Sequence, residues 1–245
     1  MIFKIKIVDY VFEVNTIYES TKIFCKDYLS DEEVDYQISI GQDDIDFERE
    51  KDRKERIIEK REMVSFNDSY LETLALYRKI VSLLVDKNVV LFHGSAVEVN
   101  GDVFLFTAKS GTGKSIHVSL YKKLFKNAII INDDKPLLKF DKEGIWVYGT
   151  PWAGKHNLQT NKKGLLKAIC ILAQASDNRI EEVSFQQAYS LLLQQSYRFK
   201  DKNKMIKSLN LINKLKNVSL YHFYCNKDDE AALISYERMK KNEIS

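Results

Sequence analysis

The chain has 245 residues, 44% hydrophobic and 30% charged, which is typical of globular proteins and excludes a disordered or fibrous composition. Its 38 basic and 35 acidic residues leave a net charge of +3, too balanced to indicate nucleic-acid binding by charge alone. No apolar run approaches the roughly 18 residues of a membrane span, and the charged N-terminal segment lacks the apolar core of a signal peptide. Cys25, Cys170 and Cys225 are far apart and outside any metal-ligand spacing, which favours reduced thiols. We therefore expect a soluble cytoplasmic protein with no nucleic-acid and no membrane partner.

The first part of the chain, residues 1–65, is predicted to be a small α+β unit. Residues 2–7 and 11–14 indicate a hairpin around Asp9–Tyr10, and residues 34–40 indicate a third strand. Residues 42–62 carry dense mixed charge, which is typical of a solvated helix face or an exposed connector. Next, apolar residues at spacings of three and four predict an amphipathic helix over residues 70–85, expected to pack beneath the following sheet.

Residues 66–245 are predicted to form the main α/β domain. The segments VVLFHGSAVEV, DVFLFTA, AIIIN and GIWVYG each indicate a strand, and further strands are expected over residues 168–174 and 218–224. Helices are expected after the glycine-rich segment and over residues 185–196, 202–215 and 229–239. Strands and helices mixed on this scale predict a mixed sheet covered on both faces.

The segment from Ala108 to Ser115, which we call the glycine-rich loop, is the strongest motif. It follows an apolar strand and matches G-x-x-x-x-G-K-[ST], with Ala108 in place of the first glycine. Gly111 and Gly113 allow successive backbone N–H groups to converge on one anion, and a helix dipole adds to this at the loop's end. Lys114 supplies a charge to the β- and γ-phosphates, and the Ser115 hydroxyl is suited to Mg²⁺. The predicted nucleotide-binding residues of the loop are Ser110, Gly111, Thr112, Gly113, Lys114 and Ser115.

Two adjacent carboxylates, Asp133 and Asp134, end the apolar strand of AIIIN. A phosphate-loop protein needs an acidic residue near its metal, usually at the end of a neighbouring strand. One of the pair is therefore expected to contact Mg²⁺, and one to accept a proton from a substrate hydroxyl. The alternative is a polar turn before Pro136.

Three further features are candidates for the site. His93 lies within LFHGSAV and is interpreted as mid-strand, where a lone histidine is more often a core residue than a functional one. The turn GTPWAGK ends in Lys155 and offers backbone donors and a cation to a phosphate or substrate, or is a plain turn around a buried tryptophan. Arg198 either lies on a solvated helix face or reaches a transferred phosphoryl group.

The arrangement LFHGSAVEVNGDVFLFTAKSGTGKS followed by IINDDKP resembles the HPr kinase/phosphorylase family. YGTPWAGK, KAICILAQA and a helix ending in QSYR resemble a small bacterial branch of that family whose function is poorly defined. The resemblance covers about residues 70–240. It implies a fold related to phosphoenolpyruvate carboxykinase, with a P-loop core and a mixed sheet, beside the small N-terminal α+β unit. The glycine–arginine signature of the bifunctional enzymes is absent, and GTPWAGK occupies roughly its place, so phosphorylase activity is not implied.

The resemblance implies an ATP- and Mg²⁺-dependent kinase that transfers the γ-phosphoryl group to a hydroxyl, of serine type, on a protein, peptide or small molecule. Lys114 and Ser115 would hold the phosphates and Mg²⁺, and Asp134, before Asp133, would be the metal contact and base. His93 would lie beside the γ-phosphate, and Lys155 and Arg198 would serve the transferred group. A homo-oligomer is also implied, since HPr kinases are hexamers.

Two other functions stay open from the sequence. A GTPase is suggested by Asn226-Lys227-Asp228-Asp229, which fits N-K-x-D, and by the D-x-x-G match at Asp141–Gly144. However, Asn226 equally suits a helix cap, and the second match has the character of a hairpin turn. The third hypothesis is a non-catalytic, nucleotide-binding regulatory protein whose N-terminal unit contacts a partner.

Overall fold

The computed structural model describes residues 1–109, 111–154 and 156–241. The chain divides into two compact units, Met1–Leu83 and Leu84–Ser245, so the division falls later than the boundary predicted after residue 65. The difference lies in the predicted amphipathic helix, whose polar side chains bond with residues of the first unit. Its buried Glu72 accepts hydrogen bonds from the backbone N–H of Ile17 (2.5 Å) and Tyr18 (3.2 Å).

The first unit has a three-stranded sheet, which confirms the predicted hairpin and third strand. Its strands are β1 (Ile2–Ile7), β2 (Tyr10–Asn15) and β3 (Tyr36–Ser39). β1 and β2 pair antiparallel, and β3 adds to β2 in parallel. Alternate apolar side chains of β1 and β2 are buried, as one covered sheet face requires.

Three helices complete the first unit: α1 (Glu19–Phe24), α2 (Gln42–Ile58) and α3 (Asp68–Leu84). The highly charged segment is therefore a helix, one of its predicted forms, whereas α1 was not predicted. α2 and α3 are joined by ion pairs of Arg78 with Asp44 (3.1 Å) and Glu48 (2.5 Å). Some of the charged residues of α2 therefore stabilise its packing against α3.

Nine strands of the described chain form one mixed sheet in the second unit. They are β4 (Val89–Leu91), β5 (Ser95–Val99), β6 (Asp102–Thr107), β7 (Ile129–Asn132), β8 (Leu137–Phe140), β9 (Ile145–Tyr148), β10 (Lys163–Gln174), β11 (Arg179–Glu182) and β12 (Ser219–Cys225). The order is β4-β8-β9-β10-β6-β5-β7, and β12 pairs with β10 and with β11. β6, β10 and β12 are mutually parallel, so their carboxyl ends share one edge. The short edge strand β11 was not predicted.

Two chain segments, one containing β4 and β5 and the other containing β7 and β8, each contribute a strand to both ends of the sheet. The sheet must therefore curl. β4 pairs with β8 at one end, and β5 pairs with β7 at the other. The strand predicted over residues 89–99 is therefore two strands, interrupted at residues 92–94. Within the interruption, Gly94 lies so close to β6 that a Cβ there would be 2.9 Å from the carbonyl oxygen of Phe106. His93 consequently lies between two strands, and its interpretation as a mid-strand residue is wrong.

Helices cover both faces of this sheet: α4 (Lys114–Leu124), α5 (Phe185–Gln195), α6 (Lys202–Ile212) and α7 (Asp229–Met239). α4 and α7 share a buried cluster with one face of β6, β10 and β12, in which Tyr121, Phe104 and Phe223 are central. The predicted helix over residues 202–215 ends earlier, at Ile212, and continues as a 3₁₀ turn. Within the described residues, every helix is too short or too polar to cross a bilayer.

Candidate functional site

The site lies at a bend shared by two chain segments, the one between β4 and β5 and the one between β7 and β8. On one segment the bend contains His93 and Gly94, and on the other it contains Asp133 and Asp134. The segments are joined there by a hydrogen bond from Gly94 N–H to the Asp134 carbonyl (3.0 Å) and by one from the Ser95 hydroxyl to the Asp133 carbonyl (2.8 Å). The bend thus brings the histidine of one segment to the carboxylates of the other.

His93 contacts Asp134 directly through its ring, and its backbone is anchored at both the N–H and the carbonyl. Its Nε2 lies 3.2 Å from Asp134 Oδ1, its backbone N–H donates to the Gln195 carbonyl (2.7 Å), and its carbonyl accepts from the Thr107 hydroxyl (3.0 Å). Gln195 ends α5, and Thr107 is the residue before the glycine-rich loop. The His93–Asp134 pair is therefore positioned against that loop.

The glycine-rich loop has the backbone that its sequence predicts. Gly111 and Gly113 have φ values of +80° and +109°, which only glycine adopts at low cost. Ala108 is buried and is not among the residues of positive φ, so alanine is tolerated at the first motif position. α4 begins at Lys114, and the N–H groups of its first turn have no partners within the helix. Gln174 of β10 braces the loop through a bond to the Thr112 carbonyl (3.2 Å).

Lys114 is buried, and its ammonium group interacts electrostatically with the carboxylate of Asp134. Its Nζ donates to the carbonyl of Ala108 at 3.4 Å, a long bond for a cation. Burial lowers the pKa of Lys114, and the negative charge of Asp134 opposes this shift. Lysine and carboxylate are thus electrostatically coupled across the loop.

The two adjacent carboxylates have opposite environments. Burial raises the pKa of Asp134, but the hydrogen bond from His93 and the charges of Lys135 and Lys114 outweigh it and bring the pKa below its ordinary value. For Asp133, burial and the charge of Asp134 raise the pKa above its ordinary value, against a hydrogen bond from Gly154 N–H to Oδ1 (2.6 Å). The other oxygen of Asp133, Oδ2, is buried and has no hydrogen-bond partner in the described chain. Asp134 is therefore the carboxylate that stays ionised beside the loop, whereas Asp133 faces the turn at residues 149–154.

Asn132 is the residue that the sequence interpretation missed. Its Oδ1 accepts from the N–H groups of Asp134 (2.9 Å) and Lys135 (2.7 Å), and its Nδ2 donates to the carbonyls of Thr150 (3.0 Å) and Trp152 (3.3 Å). This one buried amide thus fixes the backbone of the carboxylate pair to the GTPWAGK turn. The sequence did contain a signal for this role: an asparagine at a strand end, directly before the Asp pair, is a residue whose side chain often bonds to nearby backbone groups.

The GTPWAGK turn supports the Asp pair through its backbone. Trp152 is buried, as one of its two predicted interpretations required, and the Gly154 N–H, a predicted donor to a ligand, donates to Asp133 instead. Gly149 leaves no room for a side chain, since a Cβ there would lie 1.8 Å from the Thr160 carbonyl oxygen. Lys155 and Ser110, both predicted to bind nucleotide, lie outside the described residues.

Arg198 follows shortly after the strand-like contact between Ser196 and Phe92. Its side chain is exposed and forms no ion pair or hydrogen bond with the described residues. Its role at a phosphoryl group stays a prediction. The preceding Tyr197 N–H donates to the Leu91 carbonyl (3.0 Å), which places the arginine's backbone beside the strand that leads to His93.

The residues of the two GTPase-type matches form a turn and an ion pair between helices. Asp141–Gly144 is the turn between β8 and β9, in which Asp141 Oδ1 accepts from the N–H groups of Glu143 and Gly144. Asp229, the last residue of N-K-x-D, has both carboxylate oxygens bonded to Lys123 of α4 at 2.6–2.7 Å. Asp141 thus shapes a hairpin turn, and the Asp229 carboxylate is paired with a lysine of the neighbouring helix.

The site can accommodate a phosphate chain, and its donor set suits a hard cation. Two glycines of positive φ, the free N–H groups of a helix start and a buried lysine are the elements that hold phosphates. The hydroxyl of Ser115 and the ionised carboxylate of Asp134 are oxygen ligands of the kind that Mg²⁺ takes together with phosphate oxygens and water. No group of three or more His, Cys, Asp or Glu side chains in the described chain could hold a metal ion by itself.

The fold and the site define a mixed α/β protein with a curled mixed sheet and a glycine-rich loop between a strand and a helix. No protein-family model matches the chain, and no curated protein matches it. Among solved structures, the HPr(Ser) kinase/phosphatase from Coxiella burnetii aligns with 61% of this chain and 97% of its own chain, at 11% identity and a TM-score of 0.36. A likeness of this size leaves the family of the chain unassigned.

Proposed function

We propose that this protein is an ATP-dependent kinase that transfers the γ-phosphoryl group to a hydroxyl of serine type. The observation that carries the proposal is the placement of an ionised carboxylate, Asp134, in electrostatic contact with the buried lysine of the glycine-rich loop. A phosphate chain on the loop and a hydroxyl near Asp134 would then be neighbours. Structural ion pairs also perturb pKa values, so the geometry of the loop is the necessary second support.

The phosphates of the donor would lie on the loop. The backbone N–H groups of residues 110–115 would cradle them, and Lys114 would exchange its long bond to the Ala108 carbonyl for the β- and γ-phosphate oxygens. Ser115 and Asp134 would hold Mg²⁺, which neutralises charge that develops on the phosphates. The predicted role of Lys155 in phosphate binding is part of this proposal.

The transfer itself requires a positioned hydroxyl. The acceptor oxygen forms a bond to the γ-phosphorus, the bond from that phosphorus to the bridging oxygen breaks, and ADP leaves with the electron pair. The hydroxyl proton passes to the carboxylate of Asp134. Because the pKa of Asp134 is low, the carboxylate is a weak base that mainly orients the hydroxyl and takes the proton late, as suits a loose phosphoryl-transfer transition state.

The remaining site residues would support this step. His93 donates to Asp134; it would orient that carboxylate toward the acceptor and would lie beside the γ-phosphate. Asp133 would hold the 149–154 turn rather than act as the base. Arg198 would neutralise charge on the transferred group, as an exposed cation without a partner among the described residues could do.

The test combines nucleotide binding with turnover. MgATP affinity is measured by calorimetry, and ADP formation is followed against free serine, serine peptides and small hydroxyl compounds. Lys114→Ala should abolish measurable affinity, whereas Lys142→Ala, in the exposed β8–β9 turn, should not change it. Asp134→Asn should lower turnover by roughly 10²-fold or more and should weaken MgATP less than Lys114→Ala does, since the loop still holds the phosphates. The control Asp177→Asn should turn over like the wild type.

Two outcomes would contradict the proposal. MgATP binding that is unchanged in Lys114→Ala would remove the loop as the donor site. Binding without turnover of any acceptor, and without an effect of Asp134→Asn, would favour the non-catalytic regulatory protein. The resemblance seen in the sequence implies a homo-oligomer, and sedimentation of the wild-type protein tests that separately.

A further inference from the structure

A cavity borders the glycine-rich loop on the side away from Asp134. It has a volume of about 330 Å³ and lies at the carboxyl ends of β10 and β12, against the first turns of α4. Its wall includes Ile116, His117, Leu120, Leu172, Cys225 and Lys227. Most of these groups are apolar, and the volume is at the lower end of the range of about 300–1,000 Å³ found for small-molecule sites.

The sheet order gives the direction in which a nucleotide would extend. β6 carries the loop, with β5 and then β7 on one side and β10 and then β12 on the other. Asp134 follows β7, so the phosphoryl group to be transferred would lie on that side. The rest of the donor would then extend over β10 and β12. Ligands of open α/β sheets bind outside the carboxyl ends of parallel strands in this way.

A larger cavity of about 880 Å³ also borders the loop, on the sheet face covered by α5. It contacts the loop through Lys109, Gly111 and Thr112, ahead of the start of α4. The smaller cavity shares Thr112 but also contacts Gly113 and Ile116, on either side of Lys114 and Ser115, the residues proposed to hold phosphate. A group attached to those phosphates therefore reaches the smaller cavity more directly.

His117 in the cavity wall has an unused hydrogen-bonding atom. The Ser235 hydroxyl donates to the Ala232 carbonyl (3.1 Å), so it accepts from His117 Nε2 (3.0 Å) and from the Tyr121 hydroxyl (2.8 Å). This assigns the proton of the neutral ring to Nε2 and leaves Nδ1 as an acceptor. His117 is 3% exposed, and its Nδ1 has no partner among the described residues. Burial lowers the pKa of His117 to about 3, so the ring stays neutral.

We infer that the cavity between α4 and the ends of β10 and β12 binds the nucleoside of the phosphate donor. This inference rests on the proposed function. The base would lie against the apolar wall of Ile116, Leu120 and Leu172, and a ribose hydroxyl or base amino group would donate to His117 Nδ1. Lys227 would cover the base with its aliphatic stem.

The same wall argues against selection of guanine. Asp229 is absent from the cavity wall and is paired with Lys123. Asn226 is in the wall, but its amide donates to the Ser176 carbonyl (3.3 Å) and to Asp228 (2.9 Å), and its Oδ1 accepts from Asp228 N–H (3.1 Å). The cavity therefore offers an adenine as good a site as a guanine, and ATP should bind at least as tightly as GTP.

The experiment compares MgATP with magnesium tripolyphosphate, which carries the phosphates but no nucleoside, by calorimetry on the full chain. Ile116→Trp places a large ring at the cavity mouth from a position that is 45% exposed, so folding should be preserved. It should weaken MgATP by about ten-fold or more, the scale of one base stacked on a protein side chain, and change tripolyphosphate less than two-fold. Ile206→Trp, 48% exposed on α6, is the matched control and should change neither. Ala175→Leu, which narrows the cavity from the residue that follows β10, should repeat the selective loss.

The outcomes separate this inference from the proposed function. If Ile116→Trp and Ala175→Leu weaken both ligands equally, or neither ligand, the nucleoside is not in this cavity. A selective loss of MgATP in Leu191→Trp alone would place the nucleoside in the larger cavity under α5 and overturn the inference. If the wild-type chain binds neither ligand, the loop is not a phosphate site and both proposals fail. A clear preference for GTP would contradict the account of Asn226 and Asp229.

Discussion

His93 donates to Asp134 through Nε2, 3.2 Å from Oδ1, although the two residues belong to different segments of the curled sheet. The carbonyl of the same histidine accepts a hydrogen bond from Thr107, the residue before the glycine-rich loop. One residue therefore connects the candidate base to the candidate phosphate site. This connection accounts for the low pKa of Asp134 despite its burial, because the His93 hydrogen bond is the largest of the opposing effects.

Loss of the His93 hydrogen bond should change the pH profile of the reaction. Since this bond lowers the pKa of Asp134, His93→Ala should raise that pKa, and phosphotransfer needs the ionised carboxylate. The acidic limb of kcat/KM against pH should therefore move to higher pH in His93→Ala. His222→Ala, on β12, is the control and should keep the wild-type profile. An unchanged limb in His93→Ala would show that Asp134 does not govern it.

The two neighbouring carboxylates should affect stability with opposite signs of pH dependence. The folded-state pKa of Asp134 lies below the ordinary value of about 3.9, so ionised Asp134 contributes stability above that value and loses it as the pH falls through the folded pKa. Asp134→Asn should thus cost stability near neutral pH, and the cost should shrink in acid. The pKa of Asp133 is raised, so its ionisation opposes folding once the pH exceeds the ordinary value. Asp133→Asn should therefore become relatively more stable, compared with the wild type, as the pH increases from about 4. Urea unfolding of the wild type and of both variants across pH measures the two trends. If the free energies of unfolding of all three proteins change in parallel with pH, the opposite pKa directions are refuted.

Asn132 should be required for stability and not only for activity. Asn132→Ala leaves buried backbone donors and acceptors of the 132–152 region without partners, and each costs about 1–3 kcal/mol. Asn132→Asp keeps the acceptor for Asp134 and Lys135 but loses the donor to Thr150 and Trp152, so it should also be destabilised. Asn203→Ala, exposed on α6, should be close to neutral. Urea midpoints of the second unit check this, and a stable Asn132→Ala would show that water replaces the amide.

Gly149 should tolerate no side chain. A Cβ there would meet the carbonyl oxygens of Thr160 at 1.8 Å and Ile131 at 2.8 Å, and both belong to backbone that cannot move independently. Gly149→Ala should lower the free energy of unfolding by about 3 kcal/mol or more, the range of severe steric replacements. Gly41→Ala, where a Cβ meets nothing within 4 Å, is the control and should change stability by less than about 1 kcal/mol. Thermal and urea unfolding distinguish the two variants.

Much of the local structure was predictable because it depends on neighbouring residues. The hairpin of β1 and β2, the helix start at Lys114 after glycines of positive φ, and the final helix over residues 229–239 follow from patterning and turn chemistry. The D-x-x-G match was correctly predicted as a hairpin turn for the same reason. Ala108 also behaves as expected, since its backbone does not require the positive φ that would demand glycine.

The errors occurred where distant residues decide the backbone. The apolar run over residues 89–99 has the pattern of one long strand, yet it forms two, because β4 pairs with β8 whereas β5 pairs with β6 and β7. The apolar stripe of α3 likewise gave no sign that Glu72, Arg78 and Lys79 pair with residues of the first unit. A one-dimensional pattern contains neither of these contacts.

By itself the sequence determined the loop, the elements around it and the presence of two adjacent carboxylates, because turn chemistry and periodicity act over a few residues. Only the tertiary structure decided which carboxylate stays ionised. That choice depends on the bend of a curled sheet, which places His93 and Lys114 beside Asp134 and leaves Asp133 buried against the Gly154 N–H. Charge and burial act through space, so two identical side chains that are adjacent in the chain acquire opposite properties.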